Sequence, residues 1–306
     1  MQSNSSTGIR VSDEVRAAIA SGAPVLALES TILTHGLPKP RNLEVGLESE
    51  ELLRSRGVVP ATIGVVDGVA TVGLSRDEIE RLCAADGVVK VSVRDLPIAR
   101  VQRLDGGTTV AATAYLAHAA GIRVMSTGGL GGVHRGASET FDESADLGTL
   151  AETPITLVSA GVKSILDIAA TLERLETLNI PVVGYRTNRY PGFYVADSGF
   201  SVDYRIESPE DAAALAAARD ELGLAAAVLV ANPIDAERQL DPELHDRILA
   251  EALAAADAAG VSGHDTTPFL LDYVQRATGG RSLEVNLDVY RGNVALGAEI
   301  ARAVAG

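Results

Sequence analysis

The 306-residue chain has one cysteine, only three lysines among its 26 basic residues, and no excess of positive charge. Each scarcity excludes something. A single thiol, Cys83, rules out an intrachain disulfide, and its place in the helical pattern SRDEIERLCAADG reads as that of a small buried residue. A formal net charge of −15 argues against a nucleic-acid groove, which needs clustered cations to displace counterions, and against a charge-mediated hold on an anionic membrane. A small anionic ligand stays open, because a local basic pocket can sit on an acidic protein. No apolar run approaches the ~18–20 residues of a membrane span. The polar start MQSNSSTGIR carries no apolar signal-peptide stretch, so a cytoplasmic location is expected.

The shortage of lysine is the most pointed of these. Lys39, Lys90 and Lys163 are retained where arginine has taken nearly every other cationic position. Lysine can lose its proton and act as a nucleophile; guanidinium stays charged at any ordinary pH. A retained lysine therefore marks a place to look for chemistry.

What is present is an ordinary globular composition, 46% hydrophobic and 22% charged. At roughly 100–200 residues per domain the length admits two domains. No linker, repeat or composition break divides the chain, and short apolar runs alternate with amphipathic stretches throughout. The expectation is one α/β domain over 1–306, layered α/β/α around a largely parallel or mixed sheet, with 1–11 flexible.

Several elements are legible from their ends. SDEVRAAIASG reads as a helix with Ser12 as N-cap and Gly22 past its end, and SRDEIERLCAADG as a second capped helix. Two short strands joined at Asp67-Gly68 make a hairpin. PVLALEST is a buried strand ending at Glu29, either a strand-end acid facing water or a general acid beside the loop THGLPKP with His35 and Lys39. In VVKVSVRDLP, alternation places Lys90, Ser92 and Arg94 on one face, a solvated edge or a cationic cradle for phosphate. Gly106-Gly107 reads as a turn into an alanine-rich helix through Thr108 and Thr109, where threonine is an N-cap or the exposed N–H groups bind an anion. His118, inside that helix, reads as a packed or surface residue.

The stretch from Ser126 to Leu166 concentrates reactive side chains beside flexible backbone. STGGLGGVHRG has neither the dinucleotide spacing nor a P-loop G-K-[ST], so those readings are rejected, yet such a loop brings backbone N–H groups close to anionic oxygens. Asp142, Ser144 and Asp146 share a local turn that suits a hard cation, sugar hydroxyls or a helix N-terminus. Lys163 follows the strand ITLVSA and Gly161 and opens the amphipathic pattern KSILDIAATLERLETL, at the sheet edge where α/β ligands bind. There the helix dipole favours a neutral amine.

In the order PVLALESTILTHGLP, VVPATIGVVDG, KVSVRDLP, TTVAAT, STGGLGGVHRGASETFDESADL, SAGVKSILD, VVANPI and TPFLL, the chain resembles the pseudouridine-5′-phosphate glycosidases, related to indigoidine synthase A-like proteins. The resemblance covers almost the whole length. It implies reversible cleavage of the C–C glycosidic bond of pseudouridine 5′-phosphate to uracil and ribose 5-phosphate, with a lysine imine (Schiff base) to the ring-opened sugar, a role that falls on Lys163. It implies Glu29 as the general acid, and Lys90, Val110, Ser144, Ala145 and Asp146 at the substrate, with Thr109, Thr127, His134 and Asn286 as further contacts. It implies Asp142 as the ligand of one divalent cation, typically Mn2+, held largely through water, and a homotrimer. The residue types suit the chemistry. Carbon is a poor leaving group, and an imine at C1′ turns its departure into an elimination assisted by protonation of the base; two carboxylates alone, as in most glycosidases, would not. Two other readings use the same residues: an aldolase-like sugar-phosphate lyase without uracil recognition, and a non-catalytic phosphosugar-binding protein.

Overall fold

A computed structural model describes residues 8–261 and 266–306. The segment GHDTTPF reads from the sequence as a loop before a final helix, and its residues 263–265 lie outside the described residues. Among the described residues eleven strands form one sheet: β1 (Ile9–Val11), β2 (Val25–Leu28), β3 (Val59–Val66), β4 (Val69–Val72), β5 (Val89–Val91), β6 (Gly106–Thr108), β7 (Val124–Ser126), β8 (Thr156–Ser159), β9 (Val182–Tyr185), β10 (Tyr204–Ile206) and β11 (Val228–Ala231). Their order is β1-β4-β3-β2-β7-β8-β11-β9-β10, with β6 also on β3 and β5 on β6. Among the described residues every ladder is parallel except β3–β4 and β3–β6. The expected layered α/β fold is the observed one. Within the start expected to be flexible, Ile9–Val11 instead pairs with Ala70–Val72 as β1, and residues 1–7 lie outside the described residues.

The central strands are short apolar runs because helices cover both faces. In β2, Val25 and Ala27 point into one cluster with Met125 and Leu157, while Leu26 and Leu28 point into the other with Val124, Val158 and Tyr290. The second face is closed by the long helix Arg281–Ala305. It lies close: a Cβ at Gly297 would sit 2.1 Å from Ser126 Oγ and 3.0 Å from Leu26 Cδ1. The caps read from sequence are present. Ser12 accepts from Val15 N at 3.3 Å, Gly22 ends its helix at φ 71°, and Ser75 forms a capping box with Glu78. Asp67 and Gly68 turn the β3–β4 hairpin with positive φ at both positions.

Three local expectations are corrected. The strand carrying Lys90 stops at Val91, and a 3₁₀ turn over Val93–Asp95 follows, so Lys90, Ser92 and Arg94 do not share a strand face. Arg94 stays exposed beside Asp95 at 3.6 Å. Gly106-Gly107 belongs to strand β6 rather than to a turn. Their missing side chains are needed for packing, since Cβ atoms there would meet Val91 Cγ2 at 2.3 Å and Thr34 Oγ1 at 2.1 Å. Finally, the helix after Gly161 begins at Ile168, with Asp167 as its cap. Lys163 therefore sits in a loop, bridged through Leu130 and Val162, and the helix dipole, which fades within the first turn, does not act on it.

Candidate active site

β2, β7, β8 and β11 are adjacent and parallel, so the segments leaving their carboxyl ends meet along one edge of the sheet. Glu29 follows β2, Thr127 follows β7, the Lys163 loop follows β8 and Asn232 follows β11. Glu29 is buried, and each of its carboxylate oxygens accepts from a threonine hydroxyl, Thr31 on one side and Thr127 on the other. A buried carboxylate held this way is fixed in orientation, as a proton-transfer group must be.

Beside it the loop Thr127–Val133 is kept thin by glycine. A Cβ at Gly129 would meet the Phe193 ring at 2.6 Å and Lys163 Cγ at 3.2 Å; one at Gly128 would approach Asn286 Oδ1 at 3.6 Å. The loop thus runs between the lysine and the asparagine that the sequence singled out. Gly131 N–H donates to one oxygen of Asp146 and Ala111 N–H to the other, both at 2.9 Å. Ser144 caps Asp146 N at 3.2 Å and opens the short helix Ala145–Ala151.

Of the readings open for this segment, a helix N-terminus is the one observed for Ser144 and Asp146, while Asp142 does not join them. Asp146 is buried and ties the glycine loop to the start of helix Val110–Ala120, whereas Asp142 lies half-exposed against His134, with Oδ2 3.8 Å from Nδ1. No group of three or more metal-ligating side chains occurs among the described residues. The donors here are the Asp142 carboxylate itself and the His134 imidazole, a set that fits a cation keeping most of its water, as Mn2+ or Mg2+ can. Thr109 caps the helix Val110–Ala120 through Ala112 N at 3.3 Å, so the threonine is a cap, while Val110 supplies the first helical N–H.

Two of the three lysines enter this cleft. Burial and then the charge of Lys163 lower the proton affinity of Lys90, while Asp146 and Glu29 act the other way. Lys90 is exposed by area because the cleft is open, yet protein atoms around it still weaken its hydration. His134 is held below the usual histidine range by burial and by Lys90 and Lys163, against the pull of Asp142. His35, in the turn Ile32–Gly36, is lowered by burial and by Lys90. Lys39 is elsewhere, bonded to Ala84 O and Asp86. A groove of about 1120 Å³ between helices Asp13–Ser21 and Arg41–Ser55 holds none of the residues assigned to this cleft.

The family described as "Indigoidine synthase A like protein" matches residues 14–303. The chain belongs to that family. A protein of Saccharopolyspora erythraea named pseudouridine-5′-phosphate glycosidase is 67% identical, covering 97% of this chain and 98% of its own. One of the same name from Frankia alni is 58% identical over 97% of this chain and 82% of its own. Among solved structures, the prealnumycin C-glycosynthase AlnA in complex with ribulose 5-phosphate superposes with a TM-score of 0.90 at 37% identity, covering 97% of both chains.

Thr31, His35 and Asn293 are cleft or supporting residues that the sequence reading did not assign. Thr31 was in plain view two residues after Glu29. Asn293 had a positional signal, since it lies seven residues after Asn286, on the same helical face, in an otherwise apolar stripe.

Proposed function

We propose that this protein cleaves the C–C glycosidic bond of pseudouridine 5′-phosphate, reversibly, to uracil and ribose 5-phosphate. The observation that carries the reading is the gathering of Lys163, Lys90, Glu29 and Asp146 in one cleft at the carboxyl edge of the sheet, where the charges on all three neighbours act on Lys90. The names of the relatives and the sugar phosphate bound by AlnA agree with it.

Glu29 protonates O4′ as it leaves C1′, opening the sugar. The amine of Lys163 adds to C1′, and its lone pair then expels C5 of the base, which takes up a proton to become uracil. Water hydrolyses the resulting iminium, releasing ribose 5-phosphate and the free lysine. In the reverse direction the Glu29 carboxylate, already oriented by two hydroxyls, takes the proton back. Lys90 and the N–H groups of Val110 and Ala145 serve the phosphate end, with Thr109, Ser144 and Asp146 beside them; His134 and Asn286 border the sugar and base. Asp142, with His134 adjacent, would hold one Mn2+, which supplies positive charge to the substrate's oxygens when bound. A phosphate dianion does not cross a bilayer unaided, which favours a cytoplasmic enzyme, and no helix among the described residues is long and apolar enough to cross a membrane. The resemblance to the family supports a homotrimer.

The test is turnover of pseudouridine 5′-phosphate, followed by uracil release with and without Mn2+, together with borohydride trapping of ribose 5-phosphate on the protein. Peptide mapping should place the adduct on Lys163. Lys163→Arg keeps the charge and should lose both turnover and adduct; an active arginine variant would sink the imine route.

A further inference from the structure

Behind the cleft, Asn293 spends its whole side-chain amide on the loop that carries the site. It is buried at 1% exposure, and its Nδ2 donates to Thr127 O at 2.8 Å and to Gly128 O at 3.1 Å. Its Oδ1 accepts from Asn232 Nδ2 at 2.9 Å, and its backbone carbonyl accepts from Ser126 Oγ at 2.9 Å. The amide orientation is fixed by these partners, because a flipped side chain would set an oxygen against two carbonyls. Four segments converge on this one residue: the ends of β7 and β11, the glycine loop and the long helix.

The bonds matter for what lies on the other side of the pinned peptides. Thr127, whose carbonyl Asn293 holds, sends its hydroxyl to Glu29. Gly128, whose carbonyl it also holds, borders Asn286, and the next residue, Gly129, borders Lys163. The same helix face thus presents Asn286 toward the cleft and, two turns later, Asn293 to the loop's backbone. A buried asparagine in a helix that is otherwise apolar toward the sheet is costly unless every polar atom is paired, and here every one is.

We propose that Asn293 is a positioning residue for the proton-transfer side of this reaction, acting through Thr127 on Glu29. The inference rests on the function proposed above. Removing the amide leaves two buried carbonyls unpaired, lets the Thr127–Gly128 peptides turn, and frees Glu29 from one of its two hydroxyl donors. Misplacement by about 1 Å costs up to about a hundredfold in rate. Lys90 and the helix starts at Val110 and Ala145 lie on other segments, so the grip on the phosphate changes little.

Asn293→Ala should therefore lower kcat for pseudouridine 5′-phosphate by about 10- to 100-fold with KM changed less than about threefold. Thr127→Val should give the same signature, and the double variant should be no worse than the more severe single variant, since both act on one group. Multiplicative losses, or a folded Asn293→Ala protein whose kcat is unchanged or whose KM rises in step with the loss of kcat, would overturn the proposal. If that variant fails to fold, Asn232→Ala removes only the bond to Oδ1; it should lower kcat severalfold at constant KM, and an unchanged kcat would overturn the proposal equally. A wild-type protein that releases no uracil would overturn this inference and the function together, whereas wild-type turnover with indifferent variants overturns this inference alone.

Discussion

His35 and Lys90 share the mouth of the cleft, and each bears on the other's proton. His35 bonds Thr34 Oγ1 through Nδ1 at 2.7 Å, and burial, followed by the charge of Lys90, lowers its proton affinity against the pull of Val88's backbone. The folded pKa is therefore below the unfolded value of 6.5, and the unfolded chain binds the proton first as pH falls. Its contribution to stability is present above about pH 6.5 and is lost as the pH drops through the depressed value. Thermal melts of His35→Asn between pH 7 and 5 should show a shallower acid-side fall in Tm than the wild type. Lys90→Met, which removes the neighbouring cation, should bring the folded pKa of His35 back toward 6.5 and so make the fall smaller; no change of slope in either variant would remove His35 from the acid response. Lys90 follows the same sign with a different window: its lowered affinity leaves it less stably charged than in the unfolded chain below the usual lysine value of 10.5. At the scale of single residues, Cys83 is as quiet as its sequence context suggested, with burial pushing the thiol up to about 11.

Among the elements, the glycine loop between β7 and the Lys163 segment carries the tightest tolerance. A Cβ at Gly131 would lie 2.3 Å from Ser144 Oγ and 2.6 Å from Asp146 Oδ2, and neither neighbour is free to move. Ser144 caps the following helix and Asp146 is held by two backbone N–H groups. Gly131→Ala should cost about 1–3 kcal/mol of stability by overpacking and should lower kcat/KM, read by denaturant unfolding and by initial rates. Gly148→Ala, where a Cβ meets nothing within 4 Å, is the matched control for stability. Elements of this kind explain what was legible in the sequence. Ser12, Gly22, Ser75 and Asp67-Gly68 announce their structures because a cap or a hairpin turn is decided within four residues. Gly106-Gly107 misleads for the opposite reason: nothing local says that Val91 and Thr34 crowd it, and a pair of glycines reads as a turn. The start of the helix after Lys163 misleads because KSIL continues its apolar period, while the bridge of Val162 to Leu130 holds the chain extended. The structural tie of Asp146 was not legible either, because the N–H groups it binds come from 35 and 15 residues away.

On the scale of the whole molecule, the residues of the cleft come from Glu29 near one end of the chain to Asn286 near the other, and the sheet order alone makes them neighbours. A ligand there ties together β2, β5, β7, the loop after β8 and the last helix, so binding and global unfolding are linked. Cationic groups also concentrate in this cleft on a chain of net charge −15, giving an anionic ligand a local site on a surface that otherwise repels it. Ribose 5-phosphate at a hundred times its Kd should stabilise the protein by about 2.7 kcal/mol. For 306 residues, at an unfolding entropy of about 2.1 cal/mol/K per residue, that is a rise in Tm of about 4 °C. The measurement belongs on the homotrimer proposed above, first verified by light scattering at about three times 31.7 kDa. Lys90→Met should lose most of the shift, because it removes a cation proposed to meet the phosphate, whereas Lys39→Met, on the far contact with Ala84 and Asp86, should keep it. An equal shift in both variants would place the sugar phosphate outside this cleft.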